Sequence, residues 1–201
     1  MNAPKPKGCA AIVLAAGKSQ RMGSPKMLLP WGSKTVIERV ISTLTGCGIV
    51  QVIVVAGQYF KLIQEATQDL SCRVIQNSDY TTGEMLSSIQ VGLESLPESV
   101  PSALIVLGDQ PQMQANTIRL ILDQWVKSQT ELIVPSFQKH KGHPWMIHHN
   151  LFSEFTQLRP PSTPHDFINA HIADIHYIDV DNDSILRDLD TPEDYQREKP
   201  Q

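Results

Sequence analysis

The sequence predicts an α/β domain built on a mostly parallel central sheet, with helices on both faces and one small antiparallel excursion. Three observations carry that prediction. Short apolar runs recur at residues 10–14, 50–56 and 103–107, broken only by Gln51 in the second, the length and composition of strands buried on both faces. Between them lie stretches with apolar residues at helical spacing, and a strand followed by a helix and another strand implies parallel pairing through a right-handed crossover. Finally, 201 residues with 41% hydrophobic and 19% charged side chains suffice for one full core, and no linker divides them. The expectation is therefore one domain over 1–201, with a flexible start at 1–8 and a frayed end at 196–201.

The first strand empties into Ala15-Ala16-Gly17-Lys18-Ser19-Gln20-Arg21-Met22-Gly23-Ser24-Pro25-Lys26. Gly17 and Gly23 lack a Cβ, which favours a sharp turn and close approach of backbone to ligand, while Ala15 and Ala16 leave room for a flat base. Lys18, Arg21 and Lys26 bring three positive charges, and no acid occurs before Glu38. The loop reads as a polyphosphate cradle. It is neither a Walker A loop nor a dinucleotide fingerprint, because the glycine and lysine spacing fits neither.

Residues 35–45 then read as a helix, 50–56 as the second strand, 58–69 as a helix, 72–75 as a strand and 83–96 as a helix. The strand at 103–107 runs directly into Gly108-Asp109-Gln110-Pro111. In open sheets of this class ligands bind beyond the carboxyl ends of the strands, which places Gly17 and Gly108 on one rim. Asp109 is too far ahead of the helix at 116–126 to cap it, so its carboxylate is a candidate for a divalent cation that shares its shell with phosphate and water. Residues 131–136, the turn at 140–144 and residues 145–148 read as a hairpin-like excursion. Short helices are expected at 151–158 and 164–171, and a last strand at 174–180. His140, His143, His148 and His149 do not make a zinc site, since they lack metalloprotease spacing and the adjacent pair would point to opposite faces of a strand. In Asp188-Leu189-Asp190-Thr191-Pro192-Glu193-Asp194, Thr191 suits a helix N-cap, Pro192 the first turn and Asp194 a capping box. Asp190 is left over as a second metal ligand, with Asp188 the alternative.

The formal net charge of −4 argues against nucleic acid as partner. Its distribution is uneven: residues 174–194 hold eight acids against the single Arg187. No apolar run is long enough to cross a bilayer, and the first residues carry no export signal. Cys9, Cys47 and Cys72 show no metal-ligand spacing and fit buried thiols in a reducing cytoplasm.

The stretch from Leu14 to Lys26 resembles the L-A-[AG]-G-x-S-x-R-M-G-x-x-K signature of molybdenum cofactor and sugar-nucleotide nucleotidyltransferases. With Gly108-Asp109-Gln110-Pro111, Gly142-His143-Pro144 and the segment around Asp190, the whole chain resembles the molybdenum cofactor cytidylyltransferase family. The segment from Asn77 through Gly83 to Ser88 resembles that family's N-x-x-[WY]-x-x-G-x-x-x-S stretch. The resemblance implies a single-domain, Rossmann-like nucleotidyltransferase fold and transfer of CMP from CTP to the terminal phosphate of a molybdenum-molybdopterin acceptor, with release of pyrophosphate. It implies Arg21 and Lys26 as catalytic residues, and Asp109 and Asp190 as ligands of Mg²⁺ or Mn²⁺. Leu14, Ala15, Ala16, Gly17, Ser19, Gly23, Asn77, Gly83, Ser88 and Gly108 would hold the nucleotide, and Gln110, Gly142, His143 and Pro144 the acceptor. A recipient molybdoenzyme is an implied partner. Guanylyl transfer, another phosphorylated acceptor such as a sugar phosphate, and a nucleotide-binding chaperone without turnover are the alternatives.

Overall fold

In the computed structural model, residues 8–81, 84–128 and 130–200 are described. The expected strand at 10–14 forms as β1 (Cys9–Ala15), and its alternate residues face two different cores. Ala11, Val13 and Ala15 pack towards α1 (Val36–Gly46) and α4 (Ala115–Ser128). Ile12 and Leu14 pack towards α3 (Glu84–Glu94), α5 (Phe152–Gln157) and α6 (Pro164–Ala170). A strand apolar on both faces needs cover on both, so the uninterrupted run gives a layer of helices on either side.

β1 pairs in parallel with β4 (Gln51–Ala56) on one side and with β6 (Ser102–Leu107) on the other. β4 continues in parallel to β5 (Arg73–Gln76), the chain passing between them through α2 (Phe60–Ala66). Among the described residues the sheet has eight strands. Seven run in the order β10-β7-β9-β6-β1-β4-β5, and β8 (His140–Lys141) pairs with β7 (Leu132–Phe137). The antiparallel excursion is built into the sheet rather than hung from it. β9 (Trp145–His148) is inserted between β6 and β7 and antiparallel to both, while β10 (Ile175–Asp179) returns parallel to β7. A two-residue hairpin, β2 (Pro30–Trp31) with β3 (Lys34–Thr35), occupies what reads in sequence as a plain connection.

The chain leaves β1 towards β4 on one side and returns to β6 on the other, so β1 and β6 flank the point where strand order reverses. A crevice opens there at the carboxyl ends. The last helix, α7 (Pro192–Glu198), carries the expected capping box of Thr191 and Asp194. Its final Glu198 is ion-paired to Arg187 at 2.5 Å. Among the described residues, no helix is long and apolar enough to cross a membrane.

Candidate active site

A cleft of about 610 Å³ opens at that reversal point. Its walls come from the end of β1 and the loop after it, from Tyr80, Thr81, Met85 and Ser88, from Leu107 and Asp109, and from Asp188 and Asp190. Four stretches far apart in sequence thus meet, because each leaves the same edge of the sheet. The junction is tight: the Gly108 N–H donates to Leu14 O at 3.0 Å, and a Cβ on Gly108 would stand 2.8 Å from that oxygen.

The charged side chains meet at this cleft. Lys26 Nζ lies 2.5 Å from Asp109 Oδ2 and 3.2 Å from Asp190 Oδ1, and Arg21 reaches the other oxygen of Asp190 at 3.3 Å. Lys26 and Asp109 are largely enclosed, with side chains 10% and 16% exposed, whereas Arg21 is 76% exposed. Burial alone would lower the Lys26 pKa, but the Asp109 charge and the bonds to Asp109 and Asp190 outweigh it and hold the ammonium above its ordinary range. Asp188 Oδ1 accepts from Gln110 Nε2 at 2.8 Å. Desolvation, and then the charges of Asp109 and Asp190, push its carboxyl up to about 6. Three carboxylates therefore crowd a rim with fewer cations in contact.

The loop places its residues unevenly. Leu14, Ala16, Gly17 and Ser19 line the cleft, but the Ala15 side chain packs into the opposite core. Alternation along β1 is the reason. The left-handed turn is made by Ser19, at φ 51°, and by Gly23, at φ 66°. Gly17 needs no such conformation, and a Cβ on it would meet nothing within 4 Å. Ser19 Oγ accepts from the Lys26 N–H at 3.3 Å, closing the loop onto its own end. Lys18 reaches across to donate to Thr81 O at 3.1 Å.

Asn77 is fully buried behind the wall, donating to Ser87 Oγ at 2.8 Å and Ser88 Oγ at 3.0 Å, while its own oxygen takes the Asp79 N–H. It shapes the pocket through Ser88. Gly83 lies outside the described residues. Gln110, Gly142, His143 and Pro144 do not line the cleft either. Gln110 is buried and holds Ile185 O as well as Asp188. A Cβ on Gly142 would stand 2.4 Å from Ile185 O, and the His143 N–H donates to that same oxygen. The His143 ring stacks on Trp145 with centroids 4.2 Å apart, and burial pulls its pKa down to about 3, which keeps it neutral. These residues form a shelf under the segment that presents Asp188 and Asp190. Lys18 of the cationic loop and Tyr80, the aromatic position of the N-x-x-[WY] stretch, line the cleft, and so do Thr81, Met85 and Leu107, which the motifs do not single out. Only position beside a motif residue could have flagged them.

A cationic bend facing carboxylates, at the reversal point of a mostly parallel sheet, is the layout of a nucleotidyltransferase. The chain belongs to the MobA-like NTP transferase domain family, whose model matches residues 11–175. It is 29% identical over 187 residues to the molybdenum cofactor cytidylyltransferase of Escherichia coli, covering 92% of each chain. It is 33% identical over 110 residues to the bifunctional protein GlmU of Heliobacterium modesticaldum, a match over 54% of this chain and only 23% of that protein. Among solved structures, Rv0371c of Mycobacterium tuberculosis superposes with a TM-score of 0.83 at 28% identity, covering 98% of both chains. Its complex with manganese gives 0.79 at 27% identity, covering 95% of this chain and 97% of that one.

Proposed function

We propose that this protein transfers CMP from CTP to the terminal phosphate of a molybdopterin-type acceptor, releasing pyrophosphate. The observation that carries the reading is the meeting of Arg21, Lys26, Asp109 and Asp190 at one cleft beyond β1 and β6. Similarity across nearly the full length to the Escherichia coli cytidylyltransferase favours the nucleotide and acceptor named.

The acceptor's phosphate oxygen bonds to the α-phosphorus while the bond from that phosphorus to the β-phosphate bridging oxygen breaks in line, and pyrophosphate leaves. The attacking oxygen is already anionic, so no side chain need remove a proton. The protein's work is to hold two anions together and neutralise charge. Backbone of the loop at Gly17 and Ser19 lies along the triphosphate, the exposed Arg21 meets the leaving phosphates, and Lys26 meets the α-phosphate or the acceptor. The base lies against Leu14 and Ala16, with Gly23, Asn77, Ser88 and Gly108 setting the shape of its pocket. Gln110 and the turn at Gly142-His143-Pro144 act on the acceptor side by fixing the Asp188 segment.

Asp109 and Asp190 are fit to hold Mg²⁺ or Mn²⁺. Both offer hard oxygens, and a divalent ion would offset the negative charge that they and Asp188 bring together at the cleft. Such a cation would take the rest of its shell from phosphate and water. The bound ion would act as a Lewis acid on the phosphoryl oxygens.

The test is to incubate the protein with each of the four nucleoside triphosphates, a divalent metal and either molybdopterin or sugar phosphates, and to read products by mass spectrometry. A CMP adduct of molybdopterin supports the proposal. Turnover only with a sugar phosphate replaces the acceptor, and absence of pyrophosphate release with every acceptor replaces the enzyme with a nucleotide-binding chaperone.

A further inference from the structure

We infer that Lys26 and the divalent cation compete for the same two carboxylates, so that metal enters only as the Lys26 ammonium moves from Asp109 and Asp190 towards the phosphates. The inference deepens the proposed function and rests on its assignment of those two aspartates as metal ligands.

The argument is one of space and charge. Lys26 Nζ sits 2.5 Å from Asp109 Oδ2 and 3.2 Å from Asp190 Oδ1, bridging the pair. A Mg²⁺ ion taking one oxygen from each carboxylate sits at about 2.0–2.1 Å from them, which is the volume the ammonium fills. Two cations so close together, beside a largely enclosed Asp109, repel strongly. One must yield. The root of Lys26 is fixed: it begins a single 3-10 turn at Lys26–Leu28, and its backbone N–H is held by Ser19 Oγ. Its tip is not, because four methylenes carry the charge on a flexible stem. The cleft beside it is lined by Gly17, Ser19 and Arg21, where triphosphate oxygens offer the ammonium another anion. Nucleotide therefore supplies both the metal's remaining ligands and the destination of the displaced lysine, and metal alone has to displace Lys26 without that compensation.

Mn²⁺ binding without nucleotide, followed by electron paramagnetic resonance, tests this on the full chain. Lys26→Gln is expected to bind Mn²⁺ about tenfold or more tightly than wild type, and Asp109→Asn about tenfold more weakly. Lys18→Gln removes the same charge from the same loop, but its ammonium is bonded to Thr81 O instead. It is expected to change Mn²⁺ affinity by less than about threefold. Equal tightening by Lys18→Gln and Lys26→Gln reduces the effect to a general field and overturns the exclusion. Asp109→Asn weakening Mn²⁺ while Lys26→Gln leaves it unchanged also overturns the exclusion, with the metal ligands intact. If Asp109→Asn leaves Mn²⁺ binding unaltered, the metal assignment itself fails. A measurement on wild type needs no variant to fold: acetic anhydride labelling of the peptide containing Lys26 should rise severalfold at saturating Mn²⁺, and unchanged labelling overturns the displacement.

Discussion

Arg21 and Lys26 belong to one motif, yet the structure separates what their loss should do. Arg21 is exposed and, among the described residues, is ion-paired to Asp190. Arg21→Ala should lower pyrophosphate release by about 10²-fold, in the range for one transition-state donor, with the melting temperature unchanged by circular dichroism. Lys26 instead neutralises a largely enclosed Asp109, so Lys26→Ala strands a carboxylate and should also cost about 2–4 kcal/mol in urea unfolding. His143 brings a pH dependence. Its folded pKa of about 3 lies below the ordinary 6.5, so between those values the unfolded chain takes a proton that the folded chain refuses. Its contribution is complete above about pH 6.5 and is lost as pH falls towards 3. Asp188, raised from 3.8 to about 6, pulls the other way between those values, because the folded chain there binds the extra proton. The His143 effect is therefore read as the difference between wild type and His143→Gln. Wild type should lose more stability on acidification, and parallel curves would show that the ring does not titrate as its burial requires.

At the scale of elements, the loops carrying the site are held by close backbone approaches. Gly142→Ala would drive a Cβ into Ile185 O and the Ile185 side chain. It should cost about 1–3 kcal/mol and lower turnover through displacement of Asp188 and Asp190, although Gly142 lies outside the cleft. Melting and pyrophosphate release on one sample check both. Thr191→Ala removes the N-cap of α7 and should cost about 1 kcal/mol. Much of this scale was legible in the chain. The run at 10–14 gave β1 because nothing polar interrupts it, and Thr191-Pro192-Glu193-Asp194 named its own capping box. The seat of β9 was not legible, since Trp145–His148 reads equally well as the second arm of a free hairpin. Only the match of its apolar face to β6 decides for insertion, and that match is tertiary. Ala15 is a related case: composition shows a small residue beside the loop, while strand alternation sends its side chain into the core on the far side.

The whole molecule is two hydrophobic cores divided by one sheet, and the cleft lies where the sheet's order reverses. The site's ingredients could be found from local patterns, since Lys18, Arg21, Lys26, Asp109 and Asp190 each stand out from their surroundings. Their contacts could not, because the pairing of residue 26 with residue 190 depends on every strand between. That separation has a temporal side. A chain emerging from the ribosome folds from its amino end, so the cationic loop can form early with a single aspartate, Asp109, to face. Leu189, fully buried and donating its N–H to Asp109 O, anchors the segment that carries Asp190. A nascent protein stalled ahead of residue 188 would thus have a nearly complete sheet and no working centre, and activity should switch on only as the final stretch is delivered.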